Sequence, residues 1–99
     1  MWNLYRVYVG ANNDTGVVEL SLLKTILDKR FTGYTIIKTQ GRWEGKDEPS
    51  VIVEIQTDCG EKGILALIGE ICRELGQKCC GYQTLPGILF TSGTAKSTK

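Results

Sequence analysis

Residues 50–76 read SVIVEIQTDCGEKGILALIGEICRELG, and this stretch decides the predicted fold. Its first eight residues predict a strand over residues 50–57, with Val51, Val53 and Ile55 on the face toward a core and Ile52, Glu54 and Gln56 on the other. Apolar residues three and four apart then predict a helix with one buried stripe, formed by Ile64, Ile68, Ile71, Cys72 and Leu75. Asp58 and Glu61 have the spacing of a capping box that begins this helix, and Gly76 is placed to end it.

The residues before this stretch predict the same succession of strand and helix. Residues 4–9 are mostly β-branched or aromatic and end at a glycine, as expected for a strand. Leucine and isoleucine at helical spacing predict a helix over residues 17–30, and a second strand follows over residues 34–43. The polar stretch over residues 44–49 predicts the connection of a hairpin.

After the second helix, residues 79–85 predict a fourth strand, and residues 88–90 allow a short fifth one. The order βαββαβ is that of the ferredoxin-like fold, an α+β fold with a four-stranded antiparallel sheet and two helices on one face. We expect one domain over residues 1–90 and a disordered polar tail over residues 91–99.

Composition narrows the classes of protein to which the chain belongs. It has 99 residues, 41% of them hydrophobic and 23% charged, which predicts one globular domain rather than a coiled coil or a disordered chain. The net charge of +1 argues against generic attraction to nucleic acids or membranes. No apolar run approaches the roughly 20 residues that span a bilayer, and the first residues lack the order of a signal peptide, which predicts a cytoplasmic protein.

The absence of histidine is the sharpest chemical constraint in the sequence. Histidine is the usual acid–base catalyst near neutral pH and the commonest metal ligand, so pairs of histidine with a serine or cysteine nucleophile are excluded. We therefore favour a protein without catalytic residues, cofactor or bound metal. The alternative is an enzyme in a dimeric α+β barrel whose acid–base groups are Glu54 and Tyr8.

The four cysteines are Cys59, Cys72, Cys79 and Cys80. No two of them have C-x2-C spacing, so a zinc or iron–sulfur site is not predicted. A disulfide framework needs an oxidising compartment, and no export signal is visible. We expect Cys72 in the core, and Cys79 and Cys80 on opposite faces of a strand. Cys59 lies beside a helix start and is the thiol to test for reactivity.

Two helices on one side leave the other sheet face to meet water or a partner. With alternate residues of the strands facing the helices, this face receives Leu4, Arg6, Tyr8, Ile52, Glu54 and Gln56. The second strand is ambiguous, because Ile36 and Ile37 cannot both face inward. With Ile37 in the core, the face also gains Ile36, Lys38, Gln40 and Arg42. Such a mixed face favours an interface between copies of the chain.

The candidate ligand-binding residues on and near this face are Arg6, Tyr8, Lys38, Arg42 and Trp43. The three cations on neighbouring strands could hold a phosphate, and the two aromatic side chains could stack on a base. In the alternative, Glu54 pairs with one of the cations across the strands.

One motif has the form G-x-T…G-x-W and consists of Gly33, Thr35, Gly41 and Trp43. Together with residues 7–10, 30–35 and 48–50, it resembles a family of short bacterial and phage proteins with a ferredoxin-like layout, over residues 4–57. The resemblance implies the fold and supplies no catalytic residues. It also implies a small protein that binds a host factor or a signalling nucleotide.

The leading hypothesis is a non-catalytic oligomeric binding protein that captures a small anionic ligand, such as a nucleotide or a cyclic nucleotide signal, and so blunts a host response. The expected partners are further copies of the chain and that ligand, with no membrane and no generic nucleic acid. The alternatives are the histidine-independent enzyme and a module that inhibits a protein partner through its sheet face or edge strand.

Overall fold

Six elements follow one another in the computed structural model, which describes residues 2–12, 14–77 and 80–86. They are β1 (Asn3–Gly10), α1 (Leu20–Arg30), β2 (Thr35–Trp43), β3 (Lys46–Thr57), α2 (Gly60–Leu75) and β4 (Gly81–Pro86). The strands form one antiparallel sheet in the order β2-β3-β1-β4, which confirms the predicted ferredoxin-like α+β fold. The predicted strand over residues 88–90 and the tail over residues 91–99 lie outside the described residues.

The core lies between one face of the sheet and the two helices. The strands contribute Tyr5, Val7, Val9, Val51, Val53 and Ile55, which are the inward residues expected from their alternation. The helices contribute Leu23, Ile26, Leu27, Ile64, Leu67, Ile68, Ile71 and Leu75. Burying each such side chain stabilises the fold by about 1.5–3 kcal/mol before the entropy cost of ordering it. Cys72 is partly buried at the margin of this core.

Helix α1 begins at Leu20, three residues after the predicted start, because Asn12 holds the preceding residues in a turn. The side-chain oxygen of Asn12 accepts hydrogen bonds from the backbone N–H groups of Asp14 at 2.7 Å and Thr15 at 3.1 Å. The backbone N–H of Asn12 donates to the carbonyl of Val17 at 2.8 Å. An asparagine that bonds its neighbouring backbone competes with the helix and delays its start.

The two ends of α2 differ in how well they agree with the sequence, which predicted a capping box at the start and a glycine at the end. Gly76 adopts the left-handed conformation with φ of 68°, which confirms it as the residue that ends the helix. The predicted capping box is wrong, because Cys59 occupies the N-cap position and no side chain caps it. Glu61 instead accepts a hydrogen bond from the hydroxyl of Tyr82 on β4, which raises the pKa of that tyrosine.

A tight turn joins β2 to β3. Glu44 and Gly45 have φ of 50° and 76°, the positive values that suit a two-residue hairpin turn. The predicted hairpin is confirmed, but its connection is shorter than the predicted residues 44–49, since pairing begins at once with Trp43 opposite Lys46. Pairing of β3 with β1 begins only at Ser50. Residues 40–43 and 46–49 thus form a two-stranded extension beyond β1, which we call the arm.

The register of this hairpin decides which face of the sheet each β2 residue occupies. Ile36 lies opposite Val53 and packs against the core, whereas Ile37 lies opposite Ile52 and is exposed. The register that the sequence left open is therefore the one with Ile36 toward the core, and not the one with Ile37 there. Directly paired residues share a face, so every second residue of β2 from Thr35 onward lies on the side away from the helices.

Three charged side chains join the two helices on the surface. Oε2 of Glu70 on α2 accepts from Nζ of Lys29 at 2.5 Å, and Oε1 accepts from Nη2 of Arg30 at 2.8 Å. The hydrogen bonds from Lys29 and Arg30 lower the pKa of Glu70 below its ordinary value. These ion pairs join α1 to α2, and they depend on pH because they need the ionised carboxylate of Glu70.

Replacing Glu70 by glutamine should lower the melting temperature by a few degrees at pH 7. Because the pKa of Glu70 in the folded protein lies below its ordinary value of 4.5, its ion pairs stabilise the fold fully above that value and lose their contribution as the pH falls through the lowered pKa. Thermal unfolding followed by circular dichroism across this range should show the two melting curves converge in acid. A difference in melting temperature that persists unchanged at low pH would show that the ion pairs of Glu70 do not stabilise the fold.

The turn at Gly45 yields a second prediction. Gly45→Ala should cost about 1–2 kcal/mol of the free energy of unfolding, because alanine disfavours the left-handed conformation. Gly41→Ala in the same hairpin is the matched control, since a Cβ there would meet its nearest atom, Oγ of Ser50, at an ordinary 3.7 Å. Urea denaturation measures both variants. Equal losses in the two would show that the turn does not depend on a positive φ.

Candidate functional site

The open face of the sheet, which is turned away from α1 and α2, carries a row of apolar side chains across three strands. Tyr8 of β1 lies opposite Ile52 of β3, and Ile37 of β2 lies opposite the same isoleucine on its other side. Tyr8 and Ile37 are each 39% exposed. We call these three residues the apolar row. Exposed apolar groups in adjacent positions are typical of a surface that binds a partner.

Polar contacts border the apolar row on both sides. On one side, Nε of Arg6 donates to Oε2 of Glu54 at 2.7 Å, and this bond raises the pKa of Arg6 above its ordinary value. On the other side, the hydroxyl oxygens of Thr39 and Ser50 are 2.7 Å apart. Arg6 and Glu54 balance each other's charge, so the surface around the row is close to neutral.

Strand β4 holds Tyr8 in place. The hydroxyl of Tyr8 donates to Oε1 of Gln83 at 3.1 Å. Gly81 lies opposite Tyr8, and a Cβ at Gly81 would lie 3.8 Å from Cδ2 of the tyrosine ring. The ring therefore lies beside a strand position that has no side chain, and its position on the open face depends on β4.

Lys38 and Arg42 do not share the open face with Arg6, contrary to the expectation from the sequence. Lys38 lies opposite Val51, whose side chain is in the core, and Arg42 follows four residues later on the same strand. Both cations thus lie on the helix side of the sheet, because the hairpin register places the even-numbered residues of β2 there. Nη1 of Arg42 donates to Oδ1 of Asp47 at 2.7 Å.

The two predicted aromatic residues are also far apart. Trp43 is 68% exposed and lies next to the hairpin turn, on the same side as the open face. Trp43 is paired with Lys46, and Tyr8 is paired with Ile52, which lies six positions further along β3. This spacing corresponds to about 20 Å along the strand. The five predicted residues therefore do not form one site within one chain, and the role of each in ligand binding stays a prediction.

A groove of about 320 Å³ lies beside Lys38, between the start of α1 and strands β2 and β3. Its other lining residues are mostly apolar and are Val17, Val18, Leu20, Thr39, Pro49, Ser50 and Val51. Leu20 begins α1, so the positive end of the helix dipole lies at the groove, next to the exposed N-cap residue Glu19, whose side chain does not cap the helix. Lys38 makes no ion pair with any residue that the structure describes.

A second cavity of about 320 Å³ lies at the other end of β3 and joins residues that the sequence analysis did not connect. Its lining residues are Trp2, Arg30, Phe31, Thr32, Gly33, Gln56 and Thr57. The sequence offered a tryptophan at position 2 as a signal. Only the fold shows that Trp2 is exposed and lies beside the loop that follows α1. The guanidinium of Arg30 is already bonded to Glu70, which leaves this cavity weakly charged.

The comparisons with known proteins show the fold. The sequence matches no protein-family model, and no curated protein is similar to it. A DUF3240 family protein from Shewanella baltica superposes with a TM-score of 0.57 at 16% identity, covering 94% of this chain and 97% of its own. CutA1 from Oryza sativa superposes with a TM-score of 0.54 at 20% identity, covering 90% of this chain and 84% of its own. At such low identity the likeness shows only that this chain shares the α+β fold of these two proteins.

Among the residues that the structure describes, no helix is long and apolar enough to cross a bilayer. No group of three or more cysteine, aspartate and glutamate side chains among them is arranged to hold a metal ion.

The predicted acid–base pair of the alternative enzyme consists of groups that already have partners. The carboxylate of Glu54 accepts the hydrogen bond of Arg6, and the hydroxyl of Tyr8 donates to Gln83. Both interactions hold the open face together. The role of this pair in catalysis stays a prediction.

Proposed function

We propose that this protein is a homo-oligomeric binding protein whose copies meet through the open face and which captures a small anionic ligand in the groove beside Lys38. The observation that carries the first part is the apolar row, which lies exposed in the middle of the sheet face. Burying two such rows against each other removes apolar surface from water, which is the main favourable term in association.

The area of the open face supports a second copy as its occupant. Four strands about 4.8 Å apart and eight residues of β1 at about 3.4 Å each give a face of about 500 Å² per copy. Two copies would bury about 1,000 Å², which is the lower limit for a specific interface. The arm adds surface on the same side, since Trp43 lies there.

The charges of the open face are self-complementary. One cation, Arg6, and one anion, Glu54, lie next to each other beside the apolar row. A two-fold axis that runs along the strands between these two residues brings the cation of one copy toward the anion of the other, so that such an association does not place like charges together. The arm supports the same proposal, because a two-stranded ribbon is marginally stable until something packs against it.

The groove beside Lys38 supports the second part of the proposal. It combines one cation that has no ion-pair partner among the described residues with the positive end of α1 and an apolar lining. This combination suits a ligand with an anionic group and an apolar or aromatic body. A nucleotide belongs to this class, and sequestration of a signalling nucleotide from a host is the role that the resemblance suggests.

Ile37→Lys tests the interface. A charge in the apolar row should raise the dissociation constant of the oligomer at least about 100-fold, because pairing two such copies buries like charges. Ala66→Lys is the matched control, since it adds the same charge at an exposed position of α2 on the opposite side of the sheet. Size-exclusion chromatography with light scattering measures the mass of each protein.

The wild type and Ala66→Lys should both elute as oligomers, and Ile37→Lys should elute at the 10.9 kDa of one chain. A wild type that remains a single chain at every concentration would refute the interface. An oligomer that Ile37→Lys leaves intact would place the contact on another surface.

Lys38→Ala tests the groove. Calorimetry against mono-, di- and cyclic nucleotides should detect binding to the wild type and an affinity about 10-fold lower in Lys38→Ala, the effect of losing one charged hydrogen bond. Lys24→Ala removes an exposed lysine from α1 and is the control for net charge. The absence of heat with any nucleotide would refute this ligand class. A loss in Arg6→Ala with normal binding by Lys38→Ala would move the site to the open face.

A further inference from the structure

Two half-buried thiols lie side by side at the edge of the core. Cys72 lies near the end of α2, and Cys80 directly precedes β4. Their sulfur atoms are 3.6 Å apart. A disulfide bond needs about 2.05 Å, so a side-chain movement of about 1.5 Å would join them.

The fold itself sets this proximity. Gly76 takes the left-handed conformation after the last turn of α2, and the backbone N–H groups of Gly76 and Gln77 both donate to the carbonyl of Cys72. The chain is thereby turned back along the helix. On the other side, Tyr82 is paired with β1 and bonded to Glu61 of α2, which fixes the start of β4 beside the helix.

We propose that Cys72 and Cys80 are a redox-modification site that forms a reversible disulfide by exchange with a small-molecule disulfide such as oxidised glutathione. One thiolate attacks a sulfur of the reagent, whose S–S bond breaks and releases one thiolate. The second cysteine then attacks the mixed disulfide and releases the other. The two cysteines lose two protons and two electrons, and the reagent becomes two thiols.

This bond would fasten β4 to α2. Strand β4 is an edge strand whose backbone pairs with β1 alone in the described sheet. Gly81 follows Cys80 and lies opposite Tyr8, and Gln83 bonds the hydroxyl of Tyr8. Oxidation therefore restrains the strand that positions one end of the apolar row, so the redox state of the pair is coupled to the open face.

The other two cysteines provide internal controls. Cys59 is exposed and lies at the opposite end of α2, so it cannot join the pair within one chain. Cys79 is adjacent to Cys80 in the sequence and is the competitor that the experiment must separate.

The first measurement is intact mass and tryptic mapping of the full chain after incubation with oxidised glutathione. Trypsin cuts after Arg73 and Lys78, which places Cys72 in one peptide and the two later cysteines in another. We expect an intact mass lower by two hydrogens and the two peptides joined until a reductant is added. Two remaining thiols per chain should react with a thiol reagent.

The second measurement uses single replacements. Cys79→Ser should still form the linked peptides, whereas Cys80→Ser should not. Oxidised Cys79→Ser should melt at least about 5 °C above its reduced form, because the new bond restricts the unfolded chain. In the wild type, fragment ions that separate Cys79 from Cys80 within the linked peptides test the proposal even where a variant fails to fold.

Three results would overturn the proposal. The first is a bond that persists in Cys80→Ser and disappears in Cys79→Ser, which would assign it to the neighbouring cysteine. The second is a stable glutathione adduct in place of the linked peptides. The third is a linkage through Cys59 between chains as the main product.

Discussion

The two-residue turn at Glu44 and Gly45 fixes the pairing register of β2 on β3, and the surface chemistry of the protein depends on that register. A shift of one residue would turn every side chain of β2 to the other face. In the observed register Ile36 packs on the core and Ile37 joins Tyr8 and Ile52 on the open face. The same register moves Lys38 to the helix side.

The register thereby divides the protein into two surfaces of different character. The open face is apolar at its centre and neutral around it, because Arg6 and Glu54 compensate each other. The helix side holds Lys38, which has no ion pair within the described part of the chain, beside the start of α1 and the positive end of its dipole. The proposed association and the proposed ligand capture thus lie on opposite sides of one sheet, and we expect a mutation to change either one without altering the other.

The fold was predictable from the sequence because its signals are local and strong. Alternation in β1 and β3 identified the inward residues, and the apolar stripe identified α2. The register of β2 was not predictable, since Ile36 and Ile37 are both apolar and β2 lies at the edge of the sheet. The first residues of β3, 46–49, are mostly charged, and for that reason the sequence predicted them as part of the connection. Only the folded chain shows how these choices are decided.

The candidate site was harder to predict than the fold, because it depends on contacts between distant elements. Alternation alone could place Arg6 beside Glu54 across two strands once the pairing was known. The groove at Lys38 needs the position of the loop before α1, which is set by the hydrogen bonds of Asn12. The proximity of Cys72 and Cys80 needs the reversal of the chain at Gly76.

Strand β2 is nine residues long, and alternate residues direct their backbone hydrogen-bonding groups outward from the described sheet. Such an edge is a template on which further strands can add without limit and grow a filament. Addition of a second β2 in parallel register would bring Lys38 next to Lys38 and Arg42 next to Arg42 at about 4.8 Å. Arg42 is paired with Asp47, so the repulsion that opposes such growth comes mainly from Lys38.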